Sequence, residues 1–344
     1  MNLEQRIDAF SSLGNFIKAA LVANDHELAQ GLQQAIQHSQ HSNNWFTPEN
    51  VRFALENWAK LLNKEKLTTW LSNYTLKESS PKTIGLIMAG NIPLVGFHDM
   101  LSVLITGHYV KIKTSSKDQL VLTVIISFLK EYDPYFKKAI SIVQGKLEDY
   151  DAVIATGSNN TARYFEYYFG HKPNIIRKNR TSVAVITGDE SEEELLLLGN
   201  DIFRYFGLGC RNVSKLYVPI DYDLNNIFGA IYPWKHLIED KKYANNYDYN
   251  KAVYLMSEFD FLDNGFAMLK EDSGMHSPIA SIFYEYYDSK ETISTLINDT
   301  LAEQIQCVVS KNFTSNEIPF GSTQQPQLED YADGVDTVDF LLKI

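Results

Sequence analysis

The chain has 344 residues, 44% hydrophobic and 22% charged, which is the composition of an ordinary globular protein and enough length for two domains with full cores. A formal net charge of −12 excludes nucleic acid as the main partner, because phosphate binding needs a broad basic face. Two cysteines, Cys210 and Cys307, without HExxH, CxxC or a histidine cluster, provide neither a disulfide framework nor metal-ligand spacing, so no metal is expected.

The N-terminal residues Met1-Asn2-Leu3-Glu4-Gln5-Arg6 run into an amphipathic pattern. No stretch is long and apolar enough to span a bilayer, so no integral membrane segment and a cytoplasmic location are expected. Over residues 3 to about 75, apolar side chains recur at three- and four-residue steps and predict helices, with Thr47-Pro48-Glu49 marking a capped helix start. From Lys82 the pattern changes to short apolar runs between amphipathic segments. Strands are predicted over 83–88, 109–113, 139–143, 152–155, 174–176 and 183–187, and helices from about 97, over 117–132 and over 190–206. This alternation predicts βα units around a mainly parallel sheet. The remainder reads as a second α/β region rich in aromatics, with no repeat, low-complexity tract or linker.

Cys210 lies in Phe206-Gly207-Leu208-Gly209-Cys210-Arg211-Asn212-Val213, between an acidic helix and an apolar strand. The glycines let the backbone pass close to a ligand, and a loop entering a strand can aim a thiol into a cleft. Alone, Cys210 reads more readily as a small buried hydrophobe than as a nucleophile. GxGxxG and the Walker lysine motif are absent. Ala155-Thr156-Gly157-Ser158-Asn159-Asn160-Thr161 joins a strand to a helix, and there backbone amides can hold a phosphate or Ser158 or Asn159 can serve as a plain N-cap. Lys111 and Lys113 alternate on a strand, followed by Thr114-Ser115-Ser116-Lys117. They read as a phosphate site or as gatekeepers of a solvated strand edge.

Gly90-Asn91-Ile92-Pro93, Gly107 to Lys113, Ala155 to Ser158, the Gly209-Cys210 loop and Pro319-Phe320-Gly321 follow one another in an order that resembles the aldehyde dehydrogenase superfamily. Within it the chain is similar to the LuxC-type fatty acyl-CoA reductases over about residues 80–344. The resemblance implies an α/β fold of two Rossmann-like domains with an N-terminal helical segment. Its domains would be a helical segment at 1–75 packed on the cofactor domain, an NADP-binding domain at 76–180, a catalytic domain at 181–325 and a closing segment at 326–344. It also implies that Cys210 attacks an acyl-CoA thioester, and that Asn91 with the Cys210 backbone N–H stabilises the oxyanion. Lys113, Ser115, Ser116, Thr156, Gly157 and Ser158 would bind the cofactor.

Departures from the wider superfamily sharpen these expectations. Where hydrolytic relatives carry a glutamate base, this chain reads Arg177-Lys178-Asn179-Arg180-Thr181-Ser182. Reduction of a held acyl group is expected rather than hydrolysis, and the basic run is either a phosphate site or a solvated cluster. Ser116 replaces a ribose-binding glutamate of NAD-preferring relatives, which with Lys111 and Lys117 nearby predicts NADPH. In Asp272-Ser273-Gly274-Met275-His276-Ser277-Pro278 a second ribose-binding glutamate is missing, and His276 is either a proton donor to the departing aldehyde or a packing residue. The expected function is NADPH-dependent reduction of a fatty acyl-CoA to the aldehyde. The alternatives are a short-chain CoA-acylating aldehyde dehydrogenase using NAD and a non-catalytic thioester-binding subunit. A homodimer is compatible with the resemblance.

Overall fold

The computed structural model describes residues 1–23, 25–76, 80–115 and 118–344. They form two compact units, Met1–Lys178 with Gln327–Ile344, and Asn179–Pro326. No helix among the described residues is long and apolar enough to cross a membrane, and no group of three His, Cys, Asp or Glu among them could hold a metal ion.

The first unit opens with α1 (Leu3–Val22), α2 (Glu27–Ser42), α3 (Pro48–Leu61) and α4 (Lys64–Ser72). Asn2 and Gln5 close a capping box on α1, and Thr47 accepts from the Asn50 N–H ahead of Pro48, so both helix starts follow from local chemistry. Next come β1 (Thr83–Ile87), α5 (Phe97–Ile105), β2 (Tyr109–Lys113), α6 (Leu120–Tyr132), α7 (Tyr135–Ala139), β3 (Ile140–Ile142), β4 (Ala152–Thr156), α8 (Asn159–Phe169) and β5 (Asn174–Arg177). The five strands are parallel in the order β3-β2-β1-β4-β5, with Ile84 between Val110 and Ala152. Phe10 and Ile17 of α1, Leu32 of α2 and Ile125 of α6 share one core with Ile84, Leu86, Ile112 and Ile154. The chain winds outward from β1 to β3, then returns to the other side of β1 as β4 and β5. The C-terminal ends of β1 and β4 therefore flank a topological switch point, where open α/β sheets bind ligands.

Two polar clusters, one buried and one partly buried, fasten this unit. Arg177 at the end of β5 donates to the Asp99 carboxylate of α5 at 2.7 Å and to the Thr337 hydroxyl at 3.0 Å. The Trp70 indole donates to the Tyr331 hydroxyl at 2.7 Å, Tyr331 and Tyr74 share a 2.7 Å bond, and Tyr74 donates to Asp336. Segment 327–344 is thereby tied to α4 and α5. The helix expected over 117–132 starts at Leu120. Asp118 is instead turned inward, where its carboxylate accepts from the Leu94 N–H at 3.1 Å.

The second unit contains β6 (Thr181–Val185), α9 (Glu192–Phe203), β7 (Val213–Pro219), α10 (Asn225–Ile231), α11 (Lys241–Met256), β8 (Leu262–Asp263), β9 (Met268–Glu271), β10 (Ser281–Tyr287), α12 (Lys290–Thr295) and β11 (Ile305–Val309). The sheet order is β11-β6-β7-β10-β9-β8, and only the β8–β9 pair is antiparallel. Val183, Val185, Tyr217, Met275, Ile293, Ile297 and Ile305 form one of its apolar clusters. The strand expected at 183–187 ends at Val185 because the Glu190 carboxylate takes the Thr187 and Gly188 N–H groups, at 2.7 and 3.0 Å, and turns the chain out of the sheet. The helix expected over 190–206 ends at Phe203. Tyr205, Phe206 and Gly207 have φ of 56°, 59° and 74°, a left-handed run that an α-helix cannot contain.

Candidate functional site

Cys210 sits at the apex of a tight turn between that left-handed run and β7. The Asn212 N–H donates to the Gly209 carbonyl at 3.0 Å, closing a four-residue turn around Cys210 and Arg211. The Asn212 side chain is only 2% exposed as part of its residue. Its Oδ1 accepts from the Gly209 N–H at 2.8 Å. Its Nδ2 lies 3.1, 3.2 and 2.8 Å from the carbonyls of Asp201, Ile202 and Arg204, at the end of α9. One amide thus supplies helix-end carbonyls with a donor and fastens the turn to the helix. Ser182 of β6 donates to the Cys210 carbonyl at 3.0 Å, and Arg211 Nε donates to the Thr323 carbonyl at 2.6 Å. Thr323 is held in turn by the buried Asp201 carboxylate, which accepts from the Gly321 N–H (2.6 Å), the Thr323 N–H (3.0 Å) and the Thr323 hydroxyl (2.8 Å). Burial pushes the Asp201 carboxyl up to about 6, against those hydrogen bonds. Gly321 belongs to the Pro319-Phe320-Gly321 motif that the resemblance singled out.

Cys210 is partly exposed and Cys307 buried on β11, and neither is in a disulfide. The Cys210 turn lines a cavity of about 270 Å³, together with Asn179 to Thr181, Phe203, Phe206, Tyr243 and the segment from His276 to Ser281. Among the described residues no carboxylate lines this cavity. His276 shares it with Cys210, and partial burial lowers its pKa below the ordinary imidazole value. The loop carrying His276 hangs from β7: Ser214 donates to the Met275 carbonyl at 2.7 Å, and Lys215 Nζ donates to the Asp272 carbonyl. The Lys215 side chain is fully buried and pairs with Glu285 at 2.6 Å. Burial lowers its pKa, while the contact with Glu285 opposes the shift.

The other expected site residues lie at the C-terminal edge of the first sheet. Asn91 is an exposed residue of the turn after β1. Lys113 is exposed at the end of β2, and Ser115 follows in the next loop. Thr156 ends β4, and Gly157 leads into α8. Ser158 is the N-cap of α8, accepting from the Thr161 N–H at 3.3 Å, so the plain capping role is present there. Ser116 lies outside the described residues, as do Lys117 and any contact they make. Lys111 donates to the Glu148 carbonyl at 2.9 Å and lies 3.9 Å from Asp149, which directs it to the neighbouring loop.

The turn bearing Asn91 is held at both ends. Asn43, the C-cap of α2, donates to the Gly90 carbonyl at 3.1 Å, giving the N-terminal helices a part in shaping this edge that their sequence did not disclose. Leu94, at φ 58°, donates to Asp118. Desolvation pushes the Asp118 carboxyl up to about 7, and the Leu94 N–H only partly offsets it. Because the folded protein then binds this proton more tightly than the unfolded chain, Asp118 makes stability fall as the pH rises from about 4 to 7. Asp118→Asn keeps an acceptor for Leu94. It should flatten that part of the stability curve in urea unfolding at a series of pH values, and an unchanged slope would refute the assignment.

The basic run is divided. Arg177 is consumed by Asp99, Lys178 forms an exposed pair with Glu166 at 3.0 Å, and Arg180 lines the cavity with Nη1 3.3 Å from the Ile305 carbonyl. It is therefore neither one phosphate site nor one solvated cluster. Asn212, Ser182 and Asp201 were not expected from the sequence as site residues. Asn212 alone left a local signal, an Asx residue closing a turn that begins with glycine.

The acyl-CoA reductase (LuxC) family model matches residues 15–226. No curated protein matches the chain. Among solved structures, aldehyde dehydrogenase 21 from Physcomitrella patens, in complex with succinate, is similar over 100% of this chain and 84% of its own, at 13% identity and a TM-score of 0.71. An aldehyde dehydrogenase from Mycobacterium tuberculosis, complexed with NAD+, gives 92%, 78%, 13% and 0.62 in the same terms. A mutant of aldehyde dehydrogenase C from Pseudomonas syringae, complexed with NAD+ and octanal, gives 91%, 73%, 12% and 0.63. At these identities the likeness establishes the fold, in which the doubly wound first sheet is a Rossmann-like element. The chain belongs to the acyl-CoA reductase (LuxC) family and has the aldehyde dehydrogenase fold.

Proposed function

We propose that the protein reduces a fatty acyl-CoA to the aldehyde with NADPH, through an acyl group held on Cys210. The observation that carries this reading is the pinned Cys210 turn opening on a cavity that no carboxylate lines among the described residues. A thiol there can be acylated, and the described lining lacks the carboxylate base that hydrolytic relatives direct at water. Cys210 Sγ attacks the thioester carbonyl, the bond to coenzyme A breaks, and coenzyme A leaves as its thiolate. The Cys210 N–H is a donor for the intervening oxyanion, and the family resemblance assigns Asn91 the same role.

The first-sheet edge suits a nicotinamide dinucleotide. It presents an exposed ammonium on Lys113 and a hydroxyl on Ser115 after β2, and at the switch point the Thr156 hydroxyl and the start of α8 beyond Gly157 and Ser158. Reduced nicotinamide supplies a hydride when bound. Two of the similar solved structures hold NAD+, which supports this cofactor class. His276, uncharged at neutral pH, takes the proton of the thiohemiacetal hydroxyl as the C–S bond breaks, so that aldehyde departs and Cys210 returns to its thiolate. The preference for NADPH rests on Ser116 in place of a ribose-binding glutamate, with Lys111 and Lys117 close to it in sequence. Ser116→Glu should move the kcat/KM ratio toward NADH by roughly tenfold or more, the scale of about 1.4 kcal/mol; an unaltered ratio would remove this part of the reading.

The test follows NADPH absorbance with acyl-CoAs of graded chain length and weighs the intact protein for an acyl adduct located at Cys210. Cofactor oxidation with an adduct supports the reading, whereas absence of both removes it. The cavity of about 270 Å³ lies just below the range of roughly 300–1,000 Å³ usual for small-molecule sites. That favours the short-chain alternative as the second reading, and the same series separates the two.

A further inference from the structure

We infer that Asn212 is a positioning residue for the proposed nucleophile, its buried amide locking the turn that aims the Cys210 sulfur. This deepens the reading of Cys210 as the acylated thiol and rests on it. Asn212 reaches two structures that no other described side chain joins in this way. Its Oδ1 and backbone N–H take both polar groups of Gly209, and its Nδ2 faces three carbonyls at the end of α9.

The need for such a lock follows from the local backbone. The helix leaves α9 through left-handed Tyr205, Phe206 and Gly207, a conformation disfavoured for the two aromatics. Without a tie the chain would relax there and carry Cys210 with it. The carbonyls of Asp201, Ile202 and Arg204 would also lose their side-chain donor. Asn212 closes the segment from both ends, and Ser182 holds the Cys210 carbonyl from a different strand. Sulfur and reacting carbonyl must meet at near-attack geometry, where displacement by about 1 Å costs on the order of 100-fold in rate.

The experiment measures single-turnover release of coenzyme A from acyl-CoA, without nicotinamide cofactor, for the wild type, Asn212→Asp and Asn212→Ala. Asn212→Asp keeps shape and the acceptor for Gly209 but replaces the amide donor with a carboxylate oxygen facing three carbonyls. Acyl-CoA affinity is measured in each case on a Cys210→Ala background. The expected result is acylation slowed by about 10- to 100-fold with affinity unchanged, a split that general loosening of the fold would not produce. A folded Asn212 variant that acylates at the wild-type rate overturns the inference. Should both variants fail to fold, Ser182→Ala tests the same turn from β6: slowed acylation with unchanged affinity supports the lock, and wild-type rates overturn it. If wild-type protein releases no coenzyme A and carries no adduct on Cys210, the nucleophile reading itself fails and the positioning role falls with it. That result is distinct from a normal wild type beside normal variants.

Discussion

Cys210→Ala should lower kcat/KM with acyl-CoA by about 10⁴-fold or more, on the scale seen when a covalent nucleophile is removed. Acyl-CoA should still bind, because the walls formed by Phe203, Phe206, Tyr243 and Ile279 remain. Stability should change little, since Cys210 is a partly exposed residue and the backbone of the turn is secured by Asn212 and Ser182. The measurements are NADPH consumption, the mass of the acylated protein and a thermal melt. Retention of more than about a tenth of the activity would remove Cys210 from the chemistry. Loss of activity with a collapsed melt would make the residue structural instead.

The second large effect concerns stability. Asp99→Ala should cost the protein about 3–5 kcal/mol, because it leaves the Arg177 guanidinium buried without its counter-charge. The two side chains are 2% and 7% exposed and 2.7 Å apart, and Arg177 Nε has no partner among the described residues. In a domain of this size the loss corresponds to a fall in Tm on the order of 10 °C. The adjacent Lys178 provides a control. Its pair with Glu166 is more than half exposed on both sides, so Lys178→Ala should change stability by less than about 1 kcal/mol. Equal effects at the two positions, read by urea unfolding, would contradict the burial argument.

Much of the fold was legible because the signals are local. Periodicity marked the N-terminal helices, Thr47-Pro48 marked a helix start, and short apolar runs marked the parallel strands. The left-handed run after Phe203 was not legible, since nothing local predicts Tyr205 and Phe206 at positive φ. Its support, the Asn212 amide, acts across a chain reversal. The loop at 321–323 depends on Asp201 reaching Gly321 and Thr323, and the Asn91 turn depends on Asn43 and Asp118. Such long-range bonds have no period. The run from Arg177 to Arg180 shows the same limit, because neighbours in sequence there have separate fates, one buried, one on the surface and one at the cavity. Cys210 could be singled out, but its fastenings required the tertiary structure.

The first unit is discontinuous, leaving at Lys178 and resuming at Gln327. On a ribosome, the whole second unit must be made before the Tyr331 and Thr337 hydroxyls emerge to join Trp70, Tyr74 and Arg177. At about 5–20 residues per second that interval lasts roughly ten to thirty seconds. Throughout it, the sites later filled by Leu328, Val338 and Leu341 stay open in the nascent chain, exposing apolar surface to chaperones. The second unit, continuous in sequence, has no such wait.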